Sequence, residues 1–290
     1  MLLQNGKESE ITGMQSKTTE YSKTIKRKPA SWLEPQKDIS AKLYLSLSVA
    51  SFLIFIGIWA LLTYSGVVNP LFLPSPSSII ESGITLFTSY GFFTDIYMTL
   101  YRVLVGFILA FVIGMPLGLL IGSYKAAEAF FEPMVSFVRY MPISAFIPLF
   151  ILWIGVGELE KVAIIFFGSL FSIILMIAVE VSSTRKELVE AAYTLGSSNF
   201  SVVRSVILPA SIPGIMDTAR LVLGWAWTYI VIAELIAAKS GIGSVILESQ
   251  RMLQTGNIIF GILTIGTMGL ISDLLLKKVS KIFFAWNDGR

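Results

Sequence analysis

The sequence reads as an all-α membrane protein on three counts. Only 14% of its 290 residues are charged and 54% are hydrophobic, with a mean hydropathy of +0.76, whereas a soluble domain carries roughly 25% charged residues. The deficit deepens past residue 42, because the first 42 residues hold 13 of the 41 charges and leave 28 for the other 248. Finally, six apolar runs lack the two-residue alternation of a barrel, so each must close its backbone hydrogen bonds as a helix. A soluble enzyme and a disordered chain are excluded for this part.

Taken in order, residues 1–42 are polar, with eight Lys/Arg against five Asp/Glu, and read as a disordered tail. Residues 43–290 form the membrane domain. Leu43 to Tyr64 is the first uncharged run; its 22 residues, at about 1.5 Å each, span a hydrocarbon core of about 30 Å. Further spans are expected at Ile96 to Ile121, Phe130 to Ile154, Val162 to Val181, Ile215 to Ala238 and Ile258 to Leu276. Sixteen Lys/Arg fall on the side that holds both termini and only Lys161, Lys239 and Arg251 on the other. The positive-inside rule therefore places Met1 and Arg290 in the cytoplasm, with the Gly66 to Tyr90 and Lys239 to Gln254 loops outside.

Features inside the spans have bland and functional readings. Gly106, Ala110, Gly114, Gly118 and Gly122 recur every fourth residue, a small-residue stripe that suits close helix packing more readily than a moving contact. Pro116 in the same span should kink it. Arg102, Arg139, Glu180, Asp217, Arg220 and Glu234 lie within or at the edge of apolar runs, where an unpaired charge is costly. Asp217 and Arg220, three apart, can pair on one helix. Arg102, Arg139, Arg220 and Trp225 are the candidates for lining a substrate path.

The connection between the fourth and fifth spans carries the strongest local signals. Thr184 and Glu187 have capping-box spacing, Leu188, Ala192 and Leu195 recur on one face, and Gly196 suits a left-handed helix end. A second short helix should start near Ser198 and end before Pro209, which has no N–H to donate. The expectation is a helix-Gly-helix hairpin on the cytoplasmic face, either docking a partner or lying on the bilayer.

Glu190-Ala191-Ala192, Gly196 and Leu208-Pro209, with Val206 where the pattern has Ile, resemble the EAA-loop signature of permease subunits of binding-protein-dependent ABC importers. Leu73-Pro74-Ser75-Pro76, the stretch from Arg102 to Gly122, and Ala233-Glu234 followed by Gly241-Ile242-Gly243 are similar to the sulfonate, taurine and nitrate branch. The resemblance implies six transmembrane helices with a coupling-helix hairpin between spans 4 and 5, in an inner-membrane protein. It further implies that Glu190, Ala191, Ala192 and Gly196 dock a separate ATPase subunit, with Leu195 packing the helix down. Implied partners are a second permease copy, two ATP-binding subunits, an extracytoplasmic binding protein and membrane lipid, with no nucleic acid. ATP and Mg would sit on the partner subunit; no cofactor, metal or catalytic residue is expected on this chain.

Two absences agree. No G-x-x-x-x-G-K-[ST] phosphate loop occurs, and the lack of Cys and His removes thiolate, Ser-His-Asp and common zinc chemistry. The competing expectation is an ion-coupled transporter or channel in which Glu180, Asp217 and Glu234 carry protons or cations.

Overall fold

The computed structural model describes residues 39–237 and 239–284, which hold eleven α-helices, one π-helical turn and no strand. The expected tail, the positions of Met1 and Arg290, and Ala238 at the end of the fifth span lie outside the described residues. Contacts divide the chain after Ile58, within α1 (Ala41–Tyr64). This first helix is 24 residues long and apolar on every side, as a lipid-facing span should be.

The bundle that follows is built on α3 (Phe92–Ser123), α6 (Glu158–Ser182), α9 (Leu208–Ala237) and α11 (Thr255–Phe283). α3 runs unbroken through Pro116 and lays its small-residue stripe directly on α6. A Cβ added at Gly106 would come within 2.7 Å of Ile165 Cβ, at Gly118 within 2.7 Å of the Ile174 carbonyl, and at Gly122 within 2.6 Å of Val181 Cβ. The stripe is therefore helix packing, and its ascending register makes α3 and α6 parallel. α9 lies antiparallel to α6, with Tyr229 against Gly168 and Glu180 near Gly214. The core gathers Val103, Ile165, Ile173, Ile177, Val222 and Ile230 from these three helices.

The expected third span is not one helix. Phe130 to Ile154 is divided between α4 (Lys125–Arg139) and α5 (Ile143–Ile154), bent by 92°. The break falls at Tyr140-Met141-Pro142, where proline disfavours helical backbone in the residue before it. α3 and α6 are parallel, so the chain leaves α3 at one end of the bundle and enters α6 at the other; α4 and α5 must carry it back. The described residues thus hold five long apolar helices, or six spans with the bent pair as one.

Two segments expected as loops contain helices. α2 (Pro76–Ser89) starts at Ser75, whose Oγ accepts from Ser78 N at 3.3 Å, with Pro76 in the first turn. α10 (Ile242–Arg251) packs with α2 and α11 around Leu86, Phe92, Ile242 and Ile246.

Candidate functional site

Two regions carry organised polar chemistry, one at each end of the bundle. The first is the hairpin after α6. α7 (Lys186–Thr194) ends on Gly196 at φ +81, where Gly196 N donates to Tyr193 O at 2.9 Å and Ser197 N to Ala192 O at 3.1 Å. That hydrogen-bond pair is a Schellman turn, and the left-handed glycine expected from sequence is what permits it. The expected capping box does not form: Arg185 holds the N-cap position, and Thr184 Oγ1 instead shares a hydrogen bond with Ser211 Oγ at 3.1 Å. Tying Thr184 to α9 takes it out of capping reach.

The buried face of α7 is also not the expected one. Ala192 is buried and Val189 packs with it on the core, whereas Leu195 is 86% exposed and Leu188 is exposed as well. Leu195 follows the last helical residue and is turned outward by the Schellman turn, so it cannot pack the helix down. Glu190, Ala191 and Gly196 are exposed too, and Tyr193 and Phe200 add apolar surface beside them.

Beyond the turn, Ser198 Oγ caps α8 (Asn199–Val202) by accepting from Ser201 N at 3.4 Å. This second helix does not stop before Pro209. It passes through a π turn, Val203–Ile207, straight into α9, with Leu208 N donating to Val203 O. Widening the register to i−5 just ahead of the residue that lacks an N–H accommodates the proline.

At the opposite end, motif residues far apart in sequence meet around Arg102, which is fully buried. Its Nε and Nη2 donate to the two oxygens of Glu158, each at 2.6 Å. Nη1 donates to Glu234 Oε1 at 2.6 Å and to the Ser240 carbonyl at 2.7 Å, and Nη2 to Ser240 Oγ at 3.1 Å. These five bonds occupy the whole donor set of a guanidinium, so Arg102 is a structural clamp with no donor left for a substrate.

The same cluster closes the start of α10. The backbone N–H groups of Gly241, Ile242 and Gly243 donate to Asp95 Oδ1 at 2.7 Å, Thr99 Oγ1 at 2.9 Å and Glu234 Oε2 at 2.8 Å. Thr99 Oγ1 in turn donates to Glu234 Oε1 at 2.9 Å. Carboxylates at a helix N-terminus meet both its orphan donors and its dipole. Gly243 is small because a Cβ there would lie 2.6 Å from Glu234 Cβ.

The remaining path candidates separate. Arg220 pairs with Asp217 at 2.9 Å, as the spacing predicts, and also with Asp273 of α11 at 3.0 Å. Asp217 and Glu234, two of the three carboxylates that the ion-coupled alternative needs, are thus held by arginines. Arg139 and Trp225 line one open recess beside Ser172, Thr228 and Tyr229. No group of three or more metal-ligating side chains occurs among the described residues.

The pattern of binding-protein-dependent transport system inner membrane components matches residues 114–286. A probable ABC transporter permease protein of Brucella abortus (strain 2308) is 37% identical, covering 84% of this chain and 96% of the relative. A putative aliphatic sulfonates transport permease of Bacillus subtilis (strain 168) is 31% identical over 81% of this chain and 85% of its own length. Among solved structures, a methionine ABC transporter in inward-facing conformations has a similar fold, with a TM-score of 0.55 and 20% identity over 65% of this chain and 95% of that chain. With a family match over more than half its length and such near-full-length relatives, the chain belongs to the inner membrane components of binding-protein-dependent transport systems.

Proposed function

We propose that this permease imports a small anion of the alkanesulfonate, taurine or nitrate class, as two copies around one path. The bent pair counts as one crossing, giving six, with both termini and the hairpin in the cytoplasm. The single observation that carries the mechanism is the hairpin: a short helix seated by Ala192 and Val189, with Tyr193, Leu195 and Phe200 exposed around a rigid glycine turn. Apolar side chains presented on a well-formed, polar-rimmed element suit a protein groove. Glu190, Ala191 and Gly196 lie on that surface, and Leu195, turned outward, is a contact toward the partner.

ATP binds and is hydrolysed, with Mg, on a separate subunit, and an extracytoplasmic binding protein delivers the anion. Because α8 continues through the π turn into α9, a push on the hairpin reaches a core helix without crossing a flexible joint. Two helical packings biased by the partner's nucleotide state would then open the path alternately.

The test is copurification of the ATP-hydrolysing partner. Gly196→Val strains a φ of +81 by about 1–2 kcal/mol, and Glu190→Lys reverses a charge on the exposed face. Both variants should insert at normal levels yet retain at least tenfold less partner, while Ser183→Ala retains it. Undiminished partner binding in both variants would overturn the docking role; stronger binding to anionic vesicles by Glu190→Lys would point to the bilayer instead.

A further inference from the structure

Three arginines fall within the apolar spans, and Arg139 differs from the other two. Arg102 and Arg220 are closed by carboxylates. Arg139 has no carboxylate or hydrogen-bond partner among the described residues, and its guanidinium carbon lies 5.1 Å from the centre of the Tyr140 ring. Arg139 is exposed on the single chain, and an unpaired cation at the depth of the apolar spans needs water or an anion, so its surroundings decide what it is for.

Those surroundings form a recess of about 410 Å³ lined by Arg139, Tyr140, Ser172, Trp225, Thr228 and Tyr229. It contains one cation, two aliphatic hydroxyls and three aromatic side chains, and no carboxylate. The recess lies at the break between α4 and α5, with Tyr140, the first residue past α4, on its edge. A second cavity of about 310 Å³ also reaches Arg139 but holds Glu128, Glu132 and Glu180, toward the hairpin end. Arg139 thus stands at the border of a carboxylate-free recess and an acidic vestibule.

Depth separates this site from the lipid headgroups. Ser172 lies ten residues from Ser182 and fourteen from Glu158 on α6, which is about 15 Å from one end and about 21 Å from the other. A headgroup phosphate would have to sink to mid-bundle to reach it.

We propose that this recess is a holding station for a small oxyanion with a short apolar or amino-bearing tail, of the sulfonate type. The planar guanidinium takes two oxygens side by side, Ser172 and Thr228 offer neutral donors, and the rings of Tyr140 and Trp225 flank the tail. The three glutamates of the vestibule keep the anion from settling further inward, so it is held firmly enough to enter and weakly enough to leave. Naming the anion as cargo rests on the importer reading above; occupancy of the recess does not.

The chain has no cysteine, so a single one can serve as reporter. Thr228→Cys, in the full chain in phosphatidylcholine nanodiscs, is labelled with 2-sulfonatoethyl methanethiosulfonate and with its cationic aminoethyl counterpart. The ratio of the two rates should favour the sulfonate reagent, fall about tenfold on Arg139→Gln and recover in large part with Arg139→Lys; one nearby charge readily shifts a rate by that factor. Ethanesulfonate at millimolar concentration should slow labelling only when residue 139 is cationic. At Thr88→Cys, on α2, none of these changes should appear.

A ratio unaffected by Arg139→Gln overturns the recess while leaving the importer reading standing. Suppression of sulfonate labelling by added phosphatidylglycerol also overturns it, because the site would then belong to lipid. Failure of the unmodified chain to retain an ATP-hydrolysing subunit overturns the importer reading and leaves the labelling ratio untouched.

Discussion

At one end of the bundle Arg102 is enclosed by two carboxylates, a carbonyl and a hydroxyl, while halfway along it Arg139 faces open space with an aromatic ring as its neighbour. The same side chain is a clamp in one place and an unspent charge in the other, and the difference lies in what α6, α9 and the turn before α10 bring to it. Glu158, Glu234 and Ser240 converge on the first; Ser172, Thr228 and Trp225 merely border the second. Buried charge that is fully paired fixes geometry, whereas an exposed charge left unpaired at the depth of apolar spans is open to water or an anion.

The contrast predicts a graded set of stability losses. Arg102→Met should cost most, about 3–5 kcal/mol, because it strands the fully buried Glu234 without its cation. The loss would be read as a lowered thermal midpoint of the purified protein, or as failure to accumulate in the membrane. A variant that melted with the unmodified chain would show that the cluster is not a clamp.

Thr99→Val is next, at about 1–3 kcal/mol, since one hydroxyl both donates to Glu234 and accepts from Ile242 N. Hydrogen exchange at Ile242 and Gly243 should quicken, while that of α7 stays unchanged. Exchange that rose equally at both ends would deny the clamp its local role. Glu158→Gln should cost only about 1 kcal/mol, because that side chain is 48% exposed and water replaces part of what is lost.

How far these sites were legible in sequence follows from the same physics. Apolar runs located the five long apolar helices, because length and absence of charge are enough to define them. Gly196 was legible because few residues other than glycine hold a positive φ at a helix end, and Asp217-Arg220 because three-residue spacing on a helix needs no tertiary knowledge. Arg102 was not, since its partners lie 56 and 132 residues away. Sequence alone therefore groups Arg102 and Arg139 as path candidates, and only tertiary structure tells them apart.

The break at Tyr140-Met141-Pro142 left a usable sign, a proline just past the only charge between Phe130–Phe131-Glu132 and Gly157-Glu158, but uniform apolarity on both sides hid the change of direction. Pro209 misled in the opposite sense: proline usually ends a helix, and nothing local announces a π turn that carries it through. Helical periodicity puts Leu195 on the buried face, but the helix ends one residue earlier and the glycine turn points that side chain outward.

The smallest expected effect tests the comparison most sharply. Arg139→Gln should change stability by no more than about 0.5 kcal/mol, the range of a substitution that breaks no pairing, even though it removes a charge from an apolar span just as Arg102→Met does. If loss of a charge from an apolar run alone set the cost, both arginine variants would behave alike. If pairing sets it, the thermal midpoint of Arg139→Gln stays with that of the unmodified protein, and the variant's deficit is confined to anion handling in the recess. A loss comparable to that of Arg102→Met would reveal a carboxylate partner supplied from outside this chain, and a second permease copy would be its nearest source. Measuring both variants across a range of protein concentrations separates these cases, because a partner from a second copy makes the Arg139 deficit vanish on dilution to monomer.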